Sequence, residues 1–437
     1  MKSFVSIAAA TFVALCAPGT LRAQDQDPAV PSADADSGPE VDGAPSLAPG
    51  PAVEIAPPTT PDEAAALDQS VYGEDQPPDA AAPAQSRPWK VNFHSSDSAR
   101  YDDNVFISSA HKQSDFVTRL TAGGGITLGD YTAHKDNYLT SDYTAIGELF
   151  GRHSNQDAYE QMGSLDGTVR FANLTLHNDF VFQDLADEDV ELGARTRRQT
   201  YTDNFSARYD ISEKTYAEAT VQVTVANYDL YLDSNDERGG LSFNYLLNPD
   251  LTIGLGALGG ILNVQDSGSQ TYEQLFSSLQ IAATGKFTLK AAAGIEDRQA
   301  GNNRSLINPV FEVTGSYNPF ENIGLNLTAF RRVLNSAYYT GYDYISTGIT
   351  AGVLYQFSPR FTLLLDAGWQ LSDYSDLSTG AAISRTDDYY FVRPTLRYTA
   401  SESCNVELYY FRRTNSSTVA SSAFEDTQAG VTLNLTY

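Results

Sequence analysis

Few residues of this chain could carry out acid–base chemistry. The histidines are His94, His111, His134, His153 and His177. Only His177 has a carboxylate at a useful spacing, because Asp179 follows it by two residues in the alternating stretch "LHNDF" and such residues share one face of a strand. A carboxylate placed there can orient an imidazole that acts as a general base. No nucleophile motif accompanies the pair, so the sequence predicts no catalytic residues, and an enzyme is kept as the main rival class.

Metal chemistry has equally little support in the sequence. The spacing of histidines and cysteines matches no zinc site, and we predict no metal and no cofactor. One stretch, "DLADEDVEL" at 184–192, has enough carboxylates to gather Ca²⁺. A run of like charges between two alternating segments is more typical of a solvated face. We therefore interpret this stretch as a hydrated surface loop.

Charge and composition exclude one class of partner and indicate a fold class. The 437 residues carry 28 Lys+Arg against 55 Asp+Glu, a formal charge of −27, which argues against nucleic acid as a partner. The chain has 26 Tyr, 21 Phe and 32 Gly and lacks helical stretches of Ala, Leu, Glu and Lys. This composition favours strands and turns.

The first 23 residues have the pattern of a secretion signal. Lys2 supplies the positive start, an apolar run extends from Phe4 to Ala17, and cleavage is expected after Ala23. A lipoprotein signal is the alternative, because Cys16 ends the apolar run. After cleavage only Cys404 remains, so the mature chain has no internal disulfide.

Residues 24–88 differ sharply in composition from the rest of the chain. They are rich in Pro, Ala, Gly and acidic residues and nearly free of aromatic ones. Such a segment cannot bury enough apolar surface to offset its chain entropy, so we predict that it is disordered. It is either a tether that reaches a periplasmic partner, such as a polysaccharide-export component, or a passive linker.

Residues 89–437 repeat one theme, alternating segments joined by connections of two lengths. Tight turns are predicted at 172–173, 248–250, 285–286, 358–360 and 401–404, with longer polar connections between them. This sorting is typical of a transmembrane antiparallel up-and-down β-barrel in the outer membrane, with short periplasmic turns and long outer loops. We predict an all-β fold of about 18 strands, with 16 as the alternative. The predicted strands start at 89, 115, 136, 157, 174, 195, 214, 237, 251, 270, 286, 305, 322, 339, 360, 384, 404 and 424.

The C-terminal stretch "GVTLNLTY" alternates apolar and polar residues up to the last one. In a barrel the last strand must pair with the first. Because the predicted number of strands is even, both ends then lie on the periplasmic side. A terminal aromatic residue after alternating apolar ones resembles the C-terminal signal by which barrels are recognised for insertion. Leu433, Leu435 and Tyr437 are the candidate assembly signal, and the barrel assembly machinery is the implied partner.

The start of the predicted barrel resembles a known family. "ARYDDNVF" at 99–106, followed by "SDFVTRLTAGGGITLGD" at 114–130, is similar to the opening of the beta-barrel porin 2 family of Gram-negative outer-membrane proteins. Members begin with a Tyr-Asp-Asp-Asn segment and then a strand that ends in a glycine-rich turn. The resemblance implies an outer-membrane barrel, embedded in lipid and lipopolysaccharide, and some relatives are linked to exopolysaccharide export.

The predicted function is an outer-membrane channel, foremost for export of exopolysaccharide. The alternatives are a general porin for small polar solutes and a non-conducting anchor; the oligomeric state is left open. Tyr389 and Phe391, alternating with Arg393 and Arg397, could stack and hydrogen-bond sugars. The candidate lumen residues are Arg119, Asp142, Arg170, Arg208, Glu218, Asp366, Tyr389, Arg393 and Arg397. The candidate interfacial aromatic residues are Phe171, Phe180, Phe182, Tyr245, Phe357, Tyr409, Tyr410 and Phe411.

Overall fold

The structure is a computed structural model that describes residues 89–129, 137–283, 286–299, 305–376 and 385–437. The predicted signal sequence and the acidic segment 24–88 lie outside these residues. The described part contains eighteen strands: β1 Trp89–Asp102, β2 Asp115–Gly129, β3 Tyr138–Phe150, β4 Ala158–Arg170, β5 Leu174–Asp189, β6 Ala194–Ser212, β7 Thr215–Tyr228, β8 Ser234–Asn248, β9 Leu251–Val264, β10 Gln270–Ala283, β11 Phe287–Gln299, β12 Ser305–Phe320, β13 Ile323–Asn335, β14 Tyr342–Ser358, β15 Phe361–Asp376, β16 Thr386–Ser401, β17 Cys404–Ser417 and β18 Phe424–Thr436.

The strands form one closed antiparallel barrel. Each strand pairs with the next, and β18 pairs with β1, with Val431 opposite Ala99. Two backbone hydrogen bonds of 2.9 and 2.8 Å join Phe93 and Tyr437 and complete the closure. Closure leaves no unpaired sheet edge. The predicted fold class is confirmed, with 18 strands rather than 16, and each predicted start lies within three residues of the observed one.

The connections are sorted onto two ends as predicted. The turns 171–173, 213–214, 249–250, 321–322, 359–360 and 402–403 lie at one end, together with both barrel termini. We call it the turn end. The opposite end, which we call the loop end, carries the connections 103–114, 151–157, 190–193, 229–233, 265–269, 336–341 and 418–423.

Side-chain alternation gives the barrel an apolar outer face. In β15 Phe361, Leu363 and Leu365 point outward and are exposed, whereas Thr362 and Leu364 point inward and are buried. Outward leucines remain widely exposed, Leu255 by 70% and Leu275 by 72%. Among the described residues, no helix is long and apolar enough to cross a membrane.

One detail of the sequence interpretation is wrong. Tyr409 and Phe411 are not interfacial aromatics, because the alternation of β17 turns both inward, where they are buried; Tyr410 between them is exposed. Local composition suggested a place for these two side chains that the strand register overrides.

Candidate functional site

The lumen at the loop end is crossed by the tip of the β5–β6 hairpin. The β4–β5 ladder ends at Gln161–Asp184 and the β6–β7 ladder at Arg198–Tyr228. The β5–β6 ladder continues beyond both to Asp189–Ala194. Residues 185–197 therefore extend beyond the strand ladders of the wall as a hairpin, which we call the inward hairpin.

The tip of the inward hairpin touches strands and loops far around the barrel. Glu191 accepts hydrogen bonds from the Ser336 hydroxyl at 2.8 Å and from the backbone N–H of Ala337 at 2.9 Å. Arg385, at the start of β16, donates to the backbone carbonyl of Glu191 at 2.5 Å. Since β13 and β16 are seven or more strands away from β5–β6 in the barrel order, these contacts span the lumen.

A chain of buried ion pairs holds the inward hairpin. Glu188 accepts from Arg195 at 3.1 Å and from Arg413 of β17 at 3.3 Å. Arg195 also pairs with Glu148 of β3. The same chain continues at each end, where Arg100 pairs with Glu148 at 2.8 Å and Arg413 pairs with Asp426 at 2.7 Å. Three arginines thus face three carboxylates, which is the balanced arrangement that buried charges need.

Aromatic packing fills the space beside these charges. Val190 of the inward hairpin lies in one buried cluster with Ile107 of the β1–β2 connection, and the wall contributes Tyr389, Phe391, Tyr409, Phe411 and Phe424. On the opposite side Leu192 packs with Tyr228, Tyr339, Tyr344 and Tyr374. Burial raises the pKa of the Tyr339 phenol above its ordinary value. The loop end is therefore densely packed around the inward hairpin.

Gly193 allows the close approach at the tip. Its φ of +61° lies in the left-handed region. A Cβ there would lie 3.1 Å from the Ser422 Cα and 3.2 Å from the Ser421 carbonyl oxygen. A side chain would therefore meet both backbone strain and a backbone wall.

Three sequence-predicted lumen residues lie in this packed region. Arg119 is buried and pairs with Glu160 at 3.2 Å. Tyr389 is 2% exposed within the aromatic cluster, and Arg393 is buried with its guanidinium 5.0 Å from the centre of the Tyr409 ring. These side chains point inward, but they are packed rather than lining open space.

The other predicted lumen residues lie on the inner face nearer the turn end. Arg397 donates to Glu407 at 2.7 Å, and Arg208 contacts Asp210 at 2.8 Å and stacks over Tyr216 at 3.7 Å. Arg208 and Tyr216 also line a cavity of about 520 Å³. Asp142 lies 3.6 Å from His94. Arg170 is exposed at the end of β4, and Glu218 and Asp366 are half-buried. The structure does not bring these residues together into one cluster.

The hydrated-loop interpretation of 184–192 is wrong. Asp187, Glu188, Asp189 and Glu191 are all buried, and none belongs to a solvated loop. The missed residues are Arg195, Arg413 and Glu188. A signal was present, because the acids of "DLADED" are followed after a short turn by the arginines of "ARTRRQ", and opposite charges on two strands of a hairpin can pair across it.

The Tyr-Asp-Asp-Asn segment closes the barrel seam at the loop end. Asn104 donates to the Glu425 carbonyl at 2.9 Å, and Asp103 accepts from the Thr427 N–H at 2.8 Å. Asp102, Asp103 and Asp426 form the one group of three possible metal ligands within 4.8 Å among the described residues. Asp426 there accepts from Arg413, whose positive charge competes with a cation.

His177, the candidate for acid–base chemistry, contacts Asp166 and Thr168. Its Nε2 lies 3.6 Å from Asp166 Oδ2, and its Nδ1 lies 3.1 Å from Thr168 Oγ1. A distance of 3.6 Å is longer than the hydrogen bond by which a carboxylate orients a catalytic imidazole. The pair expected from the sequence, His177 with Asp179, is not the one that forms.

Comparison with known proteins identifies no family for this chain. No family model and no curated protein matches it. Similar solved structures include the outer membrane protein OpdK from Pseudomonas aeruginosa, with 13% identity, 80% of this chain and 99% of that chain covered, and a TM-score of 0.42. OccAB3 from Acinetobacter baumannii has 10% identity, 79% and 99% coverage and a TM-score of 0.42. OpdQ from Pseudomonas aeruginosa has 11% identity, 80% and 99% coverage and a TM-score of 0.43. Similarity at this level carries no functional argument, and the resemblance to the beta-barrel porin 2 family stays an expectation.

Proposed function

We propose that the protein is an outer-membrane channel for small polar solutes, constricted at the loop end by the inward hairpin. The proposal includes a Gram-negative outer membrane as its location, lipid and lipopolysaccharide around the barrel, and the segment 24–88 in the periplasm. The inward hairpin is the observation that carries it.

The outer face supports a membrane location. Exposed Leu, Ile and Phe side chains on neighbouring strands would be costly in water, because large contiguous apolar surfaces on soluble proteins are rare. Aromatic residues flank this surface at both ends, with Phe171 and Tyr209 near the turn end and Tyr159 near the loop end. Such aromatics suit the two membrane interfaces.

The inner face supports a small solute over a polymer. A barrel of 18 strands is wide enough to hold water. The inward hairpin crosses this width and fixes its tip by ion pairs and hydrogen bonds on distant strands. A linear polysaccharide would have to displace the whole hairpin, and Tyr389 and Phe391 are too buried to stack on a sugar while it is in place. The general-porin alternative therefore fits the geometry better than polysaccharide export.

Paired measurements on the wild type and a hairpin-deletion variant test the proposal. The variant replaces residues 186–197 by a two-residue turn and is compared with wild type in planar bilayers and in liposome swelling with sugars of increasing size. We expect ion conductance and uptake of small sugars by the wild type and a larger conductance and size limit in the variant. Silence of both proteins in bilayers would contradict the channel and support the anchor. Loss of surface polysaccharide in a knockout, with no sugar uptake in liposomes, would return the assignment to polymer export.

A further inference from the structure

An imidazole and a carboxylate face each other across β2 in the turn-end half of the lumen. His94 of β1 has its Nε2 3.0 Å from the Thr144 hydroxyl and its Nδ1 3.6 Å from Asp142 Oδ2, both on β3. Thr144 in turn donates to Asp142 Oδ1 at 3.2 Å. With the Thr144 proton directed to Asp142, the matching tautomer of His94 donates Nε2–H to Thr144 and leaves Nδ1 unprotonated on the side of Asp142 Oδ2.

Glycines in β2 make this meeting possible. A Cβ on Gly123 would lie 2.2 Å from His94 Nε2 and 2.7 Å from Thr144 Oγ1. A Cβ on Gly125 would lie 2.6 Å from Asn92 Oδ1 and 2.8 Å from Asp142 Oδ2. The His94 ring thus lies over the bare backbone at Gly123, and the Asn92 and Asp142 side-chain oxygens lie together over Gly125.

A related arrangement, with the two ring nitrogens exchanged, occurs between the adjacent strands β4 and β5. His177 of β5 has one ring nitrogen 3.1 Å from the Thr168 hydroxyl and the other 3.6 Å from Asp166 Oδ2. In both copies a hydroxyl holds one nitrogen of the ring while a carboxylate stands opposite the other. A second partner on the far nitrogen is what fixes the orientation of metal-binding histidines.

The nitrogen–oxygen distance distinguishes these pairs from ordinary hydrogen bonds. His153 and Asp115 at the loop end are hydrogen-bonded at 2.8 Å. The two lumenal pairs are both at 3.6 Å. Two ligands each about 2.1 Å from one ion, at a tetrahedral angle, are roughly 3.4 Å apart. The lumenal pairs therefore have nearly the separation of two ligands of one ion.

We propose that the inner face of strands β1 to β5, which we call the arc, binds first-row divalent transition-metal ions such as Zn²⁺, Ni²⁺ or Cu²⁺. One ion binds to His94 Nδ1 and Asp142 Oδ2 with Asn92 Oδ1 as a third ligand, and one binds to His177 Nε2 and Asp166 Oδ2. An imidazole ligand favours these ions over Ca²⁺ and Mg²⁺, which prefer oxygen alone. The side chains are only partly buried, so ions and their remaining water ligands can reach them.

The surrounding charge favours a cation. Asp179 lies opposite Asp166 in the strand register and adds a further carboxylate to the arc. On the inner face of β6, Arg208 contacts Asp210 and Tyr216. This inference goes beyond transport of polar solutes, because it assigns a binding site inside the barrel whether or not the barrel conducts.

Metal titration of the folded barrel, purified without a polyhistidine tag, tests the inference. Zn²⁺ binding is measured by calorimetry, and Cu²⁺ bound at the site is examined by electron paramagnetic resonance for coupling to a nitrogen ligand. We expect two ions per wild-type chain, one in His94→Ala or His177→Ala, and none in the double variant. Asp142→Asn, which keeps the shape of the side chain, should weaken one site at least tenfold.

The control is His111→Ala, which removes an exposed histidine in the β1–β2 connection. It should keep both ions, and a heat-dependent shift on a gel confirms that each variant is folded. Unchanged stoichiometry in the double variant, or an absence of nitrogen coupling in the wild type, would overturn the inference. Because binding is measured without conductance, failure of the channel proposal would leave this result intact.

Discussion

Replacing Glu188 by Gln should release the inward hairpin. Its carboxylate accepts from Arg195 at 3.1 Å and from Arg413 at 3.3 Å, and all three side chains are almost completely buried. Removing one partner of a buried pair costs about 3–5 kcal/mol. Arg195 keeps Glu148 and Arg413 keeps Asp426, so we expect the lower figure. About 3 kcal/mol lowers the ratio of closed to open hairpin roughly a hundredfold, at 1.4 kcal/mol for each factor of ten.

Two measurements report on this equilibrium. Single-channel recordings should show a higher open probability for Glu188→Gln, and hydrogen exchange should show reduced protection of the backbone amides of 186–192. The matched control is Glu425→Gln at the same end, whose carboxylate is exposed and contacts Lys112 at 3.4 Å. An exposed pair contributes about 0–1 kcal/mol, so the control should behave nearly as wild type. If Glu188→Gln kept wild-type open probability and protection in a folded barrel, the ion pairs would not be what holds the inward hairpin.

Three further predictions follow from the same geometry. Gly193→Ala should cost about 1–2 kcal/mol of hairpin closure, because Ala disfavours the left-handed conformation and its Cβ meets Ser422; hydrogen exchange at the tip measures it, and unchanged protection would contradict it. Apolar replacement of all six charged groups should keep the hairpin closed and lower the open probability; frequent opening would refute this. The variant carries Met or Leu of similar volume at Arg100, Glu148, Glu188, Arg195, Arg413 and Asp426. Deleting Leu435–Tyr437 should abolish assembly of heat-modifiable barrel, because it removes the backbone bonds between Tyr437 and Phe93 and the predicted insertion signal; wild-type barrel levels would show that the terminus is dispensable.

The sequence was sufficient to predict the barrel because its signals are periodic. Alternation places Leu363 and Leu365 outside and Thr362 inside whatever the neighbouring strands are, and the sorting of connection lengths is independent of their detailed structure. Several strand starts follow from tight turns that contain Pro or Asn, as at 172–173, 248–250 and 358–360.

The inward hairpin could not be predicted in the same way. Its acidic stretch has the composition of a surface loop, and Arg195 could be matched to it locally, but the second partner of Glu188, Arg413, lies more than 200 residues away. Similarly, Gly123 and Gly125 have a role only once β1 and β3 lie on either side of β2, with His94 and Asp142 facing across them. Periodicity specifies which face a side chain occupies, whereas these sites depend on which distant side chains share that face.

The choice of ion pairs to hold the inward hairpin is itself informative about the lumen. The hairpin tip also makes apolar contacts through Val190 and Leu192, which would be exposed to water if the hairpin moved. The series of ion pairs from Arg100 to Asp426 balances three positive charges against three negative ones. All six groups would be well hydrated if they were exposed to water. Pairs of this kind add little net stability over apolar packing, although losing a single partner is costly. Opening the whole hairpin would rehydrate both signs together, whereas breaking one pair in the closed state leaves a buried charge without its partner.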